Sequence, residues 1–162
     1  MFEDAFWKQQ GKMKREYPDH PVVGVGGVIF HESRVLLARR AQDPGKGTWS
    51  FPGGVVEIGE TVTEALHREL WEEVSIRVEI GGLVRVLDRI IRDEEGSVRF
   101  HYIIIDYWAR LVSGSLQPGS DISEAVFVPL DQIHSFGVHR DVEETAFMAQ
   151  AMLRGQTKTG KG

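Results

Sequence analysis

Apolar residues recur along this chain in two rhythms, and together they divide it into elements. Residues 22–30 form an almost unbroken apolar run, Val-Val-Gly-Val-Gly-Gly-Val-Ile-Phe, which reads as a buried strand. Its Gly-Val-Gly-Gly segment precedes no helix, so it indicates close backbone packing in a sheet and not a dinucleotide fingerprint. His31, Glu32 and Ser33 make a turn into residues 34–40, and the two runs are expected to form a hairpin. Residues 41–47 have the composition of a loop. Further on, Gly81 and Gly82 are expected to break the chain ahead of a strand over 83–88. A hairpin turn over 93–96 then leads to a long aromatic-rich strand over 97–111. A turn-rich stretch over 114–121 precedes a last strand at 124–130.

The second rhythm is helical. Thr61 followed by Glu64 is a capping-box signature, so a helix is expected to start near Thr61. At roughly 100° per residue, Glu69, Glu72 and Glu73 share a sector with Val62 and Ala65, bordered by Leu66 and Leu70. Three carboxylates continuing an apolar stripe repel one another and are desolvated, so either one is protonated or a cation sits among them. Clustered carboxylates suit Mg²⁺, with Mn²⁺ as the alternative. The competing reading is a solvated charged face; the apolar continuation and the glycine turn ahead of the helix favour a site. A closing helix is expected over 142–153, with Val142, Ala146, Ala149 and Leu153 on one face. Residues 1–17 read as a short helix bearing Phe2, Phe6, Trp7 and Met13, which could cover the chain's own sheet or a second subunit. Pro18 and Pro21 make an extended link, so 1–21 reads as N-terminal helix and linker, 22–154 as the domain and 155–162 as a disordered polar tail.

Composition narrows the classes. A chain of 162 residues with 41% hydrophobic and 27% charged residues is an ordinary single globular domain. Without cysteine there is no disulfide and no thiolate metal site. A net charge of -5 gives no general attraction to nucleic acid. No segment reads as a signal peptide or a membrane span, so no membrane partner is expected and the expected location is cytoplasmic.

The stretch from Gly54 to Ile76 resembles the Nudix box. Gly54, Glu60, Arg68, Glu69, Leu70, Glu72, Glu73 and Ile76 match its pattern in register, a coincidence on the order of 10⁻⁷ per window by background residue usage. Ser75 departs, standing where the family has glycine, at a position suited to a left-handed helix cap. The resemblance implies the Nudix α/β/α sandwich with a mixed sheet. It also implies metal-dependent hydrolysis of a diphosphate linkage in a nucleoside diphosphate derivative. Within that picture Glu69, Glu72 and Glu73 hold the metal, joined by the backbone carbonyl of Gly53. Arg68 orients the glutamates, and Glu60 belongs to the same site.

Phe100-His101-Tyr102, the aliphatic run after it and Asp106 resemble the ADP-ribose pyrophosphatase branch, which implies ADP-ribose as substrate, giving AMP and ribose 5-phosphate. Oxidised or canonical nucleoside triphosphates stay open, as does a nucleotide-sensing module that does not cleave. Asp121 and Glu124 are candidates for a general base or a further metal ligand. Arg39, Arg89 and His101 are candidates for substrate binding. A homodimer is common among such relatives, and the N-terminal aromatic residues could serve it.

Overall fold

The computed structural model describes residues 13–159 and shows a seven-stranded mixed sheet between two helices. β1 (Val22–His31) turns through Glu32 and Ser33 into β2 (Arg34–Arg40). Both turn residues take positive φ, 48° and 65°, the twist a two-residue hairpin needs. The short β3 (Trp49–Ser50) pairs with β2, and β4 (Gly53–Val55) pairs with β1 alone. After helix α1 (Val62–Val74) come β5 (Ile76–Arg92) and β6 (Val98–Gly114), a long antiparallel hairpin. β6 lies parallel to β1, which makes the sheet mixed. β7 (Ile122–Pro129) returns to pair with β2, and a 3-10 turn (Leu130–Phe136) leads to α2 (Arg140–Thr159).

Alternate residues of the same strands feed two cores. Val25, Ile29, Leu36 and Ala109 meet Ala65, Leu66, Leu70 and Val74 of α1 on one face. Val28, Phe30, Leu37 and Trp108 meet Ala146 and Ala149 of α2 on the other. Because β1 is covered on both sides, it had to read as a continuous apolar run. Gly27 faces α1, where a Cβ would press on Leu66 and Ile29, so its lack of a side chain lets helix and sheet approach.

Several expectations need correction. Gly81 and Gly82 do not break the chain. β5 runs through them with register shifts, and Gly81 lies under the Trp108 ring, where any side chain would collide. Residues 13–17 are not helical; Tyr17 takes φ 48° and its N–H donates to the Arg99 carbonyl. The helix expected over 1–12 lies outside the described residues. α2 continues through Thr159, so residues 155–159 are helical where a disordered tail was expected. No helix among the described residues is long and apolar enough to cross a membrane.

Candidate active site

α1 is held at both ends by the local chemistry its sequence announces. Thr61 Oγ1 accepts from the Glu64 N–H at 3.2 Å and the Glu64 carboxylate accepts from the Thr61 N–H at 2.7 Å, the reciprocal pair of a capping box. At the far end Ser75 adopts φ 60° and ψ 39°, and its N–H reaches the carbonyls of Leu70 and Trp71. The cap therefore stays where the family pattern puts glycine, with serine bearing the left-handed conformation.

Arg68 is the hub between α1 and the loop before it. Its Nε and Nη2 fork onto Glu60 at 3.0 and 2.6 Å, and Nη2 also donates to the Val55 carbonyl at 3.0 Å. Nη1 donates to Glu69 at 2.8 Å and to Glu72 at 3.2 Å, the latter an i,i+4 pair. The Arg68 hydrogen bonds, helped by the Glu57 N–H, bring the Glu60 carboxyl down to about 2. A planar five-donor group can satisfy this many acceptors at once, whereas a lysine could not.

Glu69 and Glu73 stand against the glycine turn. A side chain on Gly54 would occupy the position of the Glu69 carboxylate, so the carboxylate can lie against the strand only because residue 54 is glycine. The Gly53 N–H donates to Glu73 Oε2 at 3.3 Å. Burial, followed by the nearby Glu69 charge, pushes Glu73 up to about 7 despite that hydrogen bond. Burial also raises Glu69, against the lowering effect of Arg68. Asp121 adds its negative charge to Glu73, and Arg40 and Arg15 supply opposing positive charge to Glu73 and Glu69 respectively. The 115–121 loop closes on the end of α1, with the Gly119 N–H on the Glu73 carbonyl at 2.7 Å and Gln117 on Val74 at 3.1 Å.

The structure thus brings together Gly53, Glu60, Arg68, Glu69 and Glu73, with Asp121 close enough to act on Glu73. It corrects the expectation that all three glutamates follow the apolar stripe. Glu72 is 57% exposed and turned onto Arg68, while Glu69 is 14% exposed. The buried arc is set by Ala65, Leu66, Leu70 and Val74. At 100° per residue Glu73 falls near the middle of that arc, Glu69 at its edge and Glu72 roughly 120° away.

Four other candidates make no hydrogen bond or ion pair with Glu69 or Glu73 among the described residues. Arg39 pairs with Glu124 at 3.2 Å across the β2–β7 register and donates to the Gly47 carbonyl at 3.1 Å, so each neutralises the other. Arg89 is tied to Asp141 of α2 at 3.2 Å. His101 sits on β6 opposite Ile90. Two residues went unmarked in the sequence: Arg15, which precedes any recognisable pattern, and Arg85, whose guanidinium ties β5 to Asp141 and Glu144 of α2 at 3.5 Å each. Only the spacing of Arg85 and Arg89, four residues apart on one strand face, could have drawn attention to Arg85.

Among the described residues no group of three or more acidic or histidine side chains stands assembled around a metal position. The donors present still fit a hard divalent cation. Glu69 and Glu73 are half-buried carboxylates with raised proton affinity beside bare glycine backbone, a negative pocket that a cation would relieve.

Comparison with known proteins gives the same assignment. The NUDIX domain model matches residues 20–148. An ADP-ribose pyrophosphatase of Methanocaldococcus jannaschii is 38% identical over 114 residues, 70% of this chain and 65% of that protein. The low-salt glycan biosynthesis protein Agl8 of Haloferax volcanii is 35% identical over 112 residues, 67% of this chain and 72% of that protein. The crystal structure of a MutT NUDIX hydrolase from Burkholderia pseudomallei superposes with a TM-score of 0.70 at 28% identity, covering 80% of this chain and 98% of that one. With the box residues in register on α1 and the sheet between two helices, the chain belongs to the Nudix family.

Proposed function

We propose that this chain is a metal-dependent hydrolase of the diphosphate linkage in a nucleoside diphosphate derivative, with ADP-ribose as its substrate. The observation that carries the reading is the pair Glu69 and Glu73, half-buried against Gly53 and Gly54 with their charges uncompensated except for Arg68 and more distant arginines. Water adds to one phosphorus, the P–O–P bond breaks, and AMP and ribose 5-phosphate leave. Glu69 and Glu73, with the Gly53 carbonyl, would hold Mg²⁺ or Mn²⁺, and Asp121 is a further acid whose charge reaches Glu73. The bound ion would supply charge neutralisation at the diphosphate and make water a better nucleophile near neutral pH.

The proton released as water attacks passes to a carboxylate of the glutamate cluster or to Asp121, whose charge already reaches Glu73. Arg68 fixes the orientation of Glu69 and holds Glu60 and Glu72 as its counter-charges, so it positions the site without touching substrate. Glu124 is the poorer base because Arg39 already neutralises it. For the substrate, support comes from the branch motif around Phe100–Tyr102 and from the name of the M. jannaschii relative, of which this chain spans 65%.

The test is product formation with Mg²⁺ from ADP-ribose, nucleotide sugars, dinucleotides, and normal and oxidised nucleoside triphosphates, with Glu73→Gln as control. AMP should form fastest from ADP-ribose, and Glu73→Gln should lower kcat by about 10²- to 10⁴-fold. Faster pyrophosphate release from a triphosphate would keep the reaction type and overturn the substrate. Metal-dependent binding without turnover would point instead to a sensing module.

A further inference from the structure

The face of the sheet opposite α1 holds a carboxylate that the reaction chemistry above leaves unused. Asp106 of β6 is only 4% exposed, yet it accepts no hydrogen bond and makes no ion pair among the described residues. Its neighbours decline the role of partner. Arg85, directly opposite on β5, spends its donors on Asp141 and Glu144, and Arg89 spends its own on Asp141. Both guanidiniums act on Asp106 only through their charge, and burial raises its proton affinity. Nor is the carboxylate a packing accident: it lies over Gly26, where any side chain would collide with Oδ1. Neither oxygen is sealed off as a buried orphan. An unpaired buried carboxylate is costly, so it persists where something outside the protein supplies donors.

The register places this group relative to the reaction centre. Asp106 is opposite Gly26 on β1, and Gly26 is opposite Gly53 on β4, whose N–H holds Glu73. Two strand spacings separate them, about 10 Å. β4 is three residues long and no strand pairs along its outer edge, where the Gly53 N–H meets Glu73 and the Val55 carbonyl meets Arg68, so a ligand held at Glu73 starts at that edge of the sheet. On the α2 side Leu87, Tyr102 and Ile104 share the face of Asp106 and are only half-buried, which leaves a strip leading to it.

We propose that Asp106 is a specificity-determining residue that accepts hydrogen bonds from two hydroxyls of the sugar attached to the diphosphate. A carboxylate can only accept, and its two oxygens match the two donors of a vicinal diol. A nucleobase edge mixes donors with acceptors and suits it less well. Gly26 keeps the acceptor in place, while Asp141 and Glu144 keep Arg85 and Arg89 from capturing it. This assignment rests on the hydrolase reading above and adds which end of the substrate the α2 face reads.

The test compares wild type and Asp106→Asn in the Mg²⁺-loaded enzyme, measuring KM and kcat for ADP-ribose, the inhibition constant of ADP, and Tm. ADP carries the nucleoside and diphosphate but no attached sugar. Losing a charge-assisted acceptor should raise KM for ADP-ribose about 10- to 100-fold, with kcat and the ADP constant within about threefold. Tm should hold or rise, because the unpaired charge is gone. Equal weakening of ADP-ribose and ADP would overturn the sugar assignment, and so would an unchanged KM with a lowered Tm, which marks a structural tether. If Asp106→Asn yields no folded protein, Asp106→Ser gives the same comparison. Wild type that cleaves ADP-ribose with no KM effect in the variant sinks this inference alone; wild type that cleaves no member of the panel sinks it together with the hydrolase reading.

Discussion

Single residues decide whether the two glutamates can stand where they do. Gly54 is the sharpest case, since a Cβ there would overlap the Glu69 carboxylate. Gly54→Ala is expected to displace Glu69 and lower kcat at least 100-fold while the cooperative unfolding transition survives, because residue 54 lies at a short edge strand. Activity and thermal unfolding measured on the same preparation check both halves. Ser75 is the converse case, a residue in the left-handed region without glycine's freedom, at φ 60°. Ser75→Gly should stabilise the protein by about 0.5–1 kcal/mol, seen as a higher urea midpoint at unchanged m-value. A lower midpoint would mean that the serine side chain contributes more than its backbone strain costs. The Nudix pattern marked both positions. What it could not show is the side on which Glu72 lies: the pattern lists residue types, whereas exposure depends on which arc of the helix the sheet covers.

At the scale of elements, periodicity was a good guide wherever one face met the core. The capping box at Thr61, the β1–β2 and β5–β6 hairpins and the Ala146–Ala149 face of α2 all follow from local pattern. The failures share a physical cause, which is long-range packing acting on a locally ambiguous segment. Gly81 and Gly82 look like a break until Trp108, from the partner strand of the hairpin, is seen lying over Gly81. Residues 155–159 are polar enough to read as tail, but they extend a helix whose earlier turns are anchored by buried alanines. The 115–121 loop reads as mere connection, and its backbone bonds to Glu73 and Val74 fasten it beside the site. No sequence rhythm encodes such a contact.

For the whole molecule, the buried acids set how stability responds to pH. Glu73 is raised to about 7 and Asp106 to about 6, both by burial first. Each then binds protons more tightly in the folded state than unfolded, so between about pH 4.5 and 7 the native state holds more protons and stability falls as pH rises. Glu60 works the other way, since its carboxyl is lowered to about 2 by Arg68, and its contribution is lost only as pH falls below about 4.5. Metal-free protein should therefore lose Tm from pH 5 to 8, with a shallower fall in Glu73→Gln. A rise in Tm over that window would contradict the assignment of Glu73 as a buried acid with high proton affinity.

In the proposed reading Glu69 and Glu73, seated on Gly53 and Gly54, hold the divalent ion on which diphosphate hydrolysis depends. The most direct measurement is calorimetric titration of Mn²⁺ into metal-free wild type, Glu73→Gln and Glu124→Gln at pH 7.5. The prediction is saturable binding with proton release in wild type, weakened at least tenfold by Glu73→Gln and unchanged by Glu124→Gln, which lies paired with Arg39. Binding that survives Glu73→Gln intact, or that vanishes equally in both variants, would contradict it.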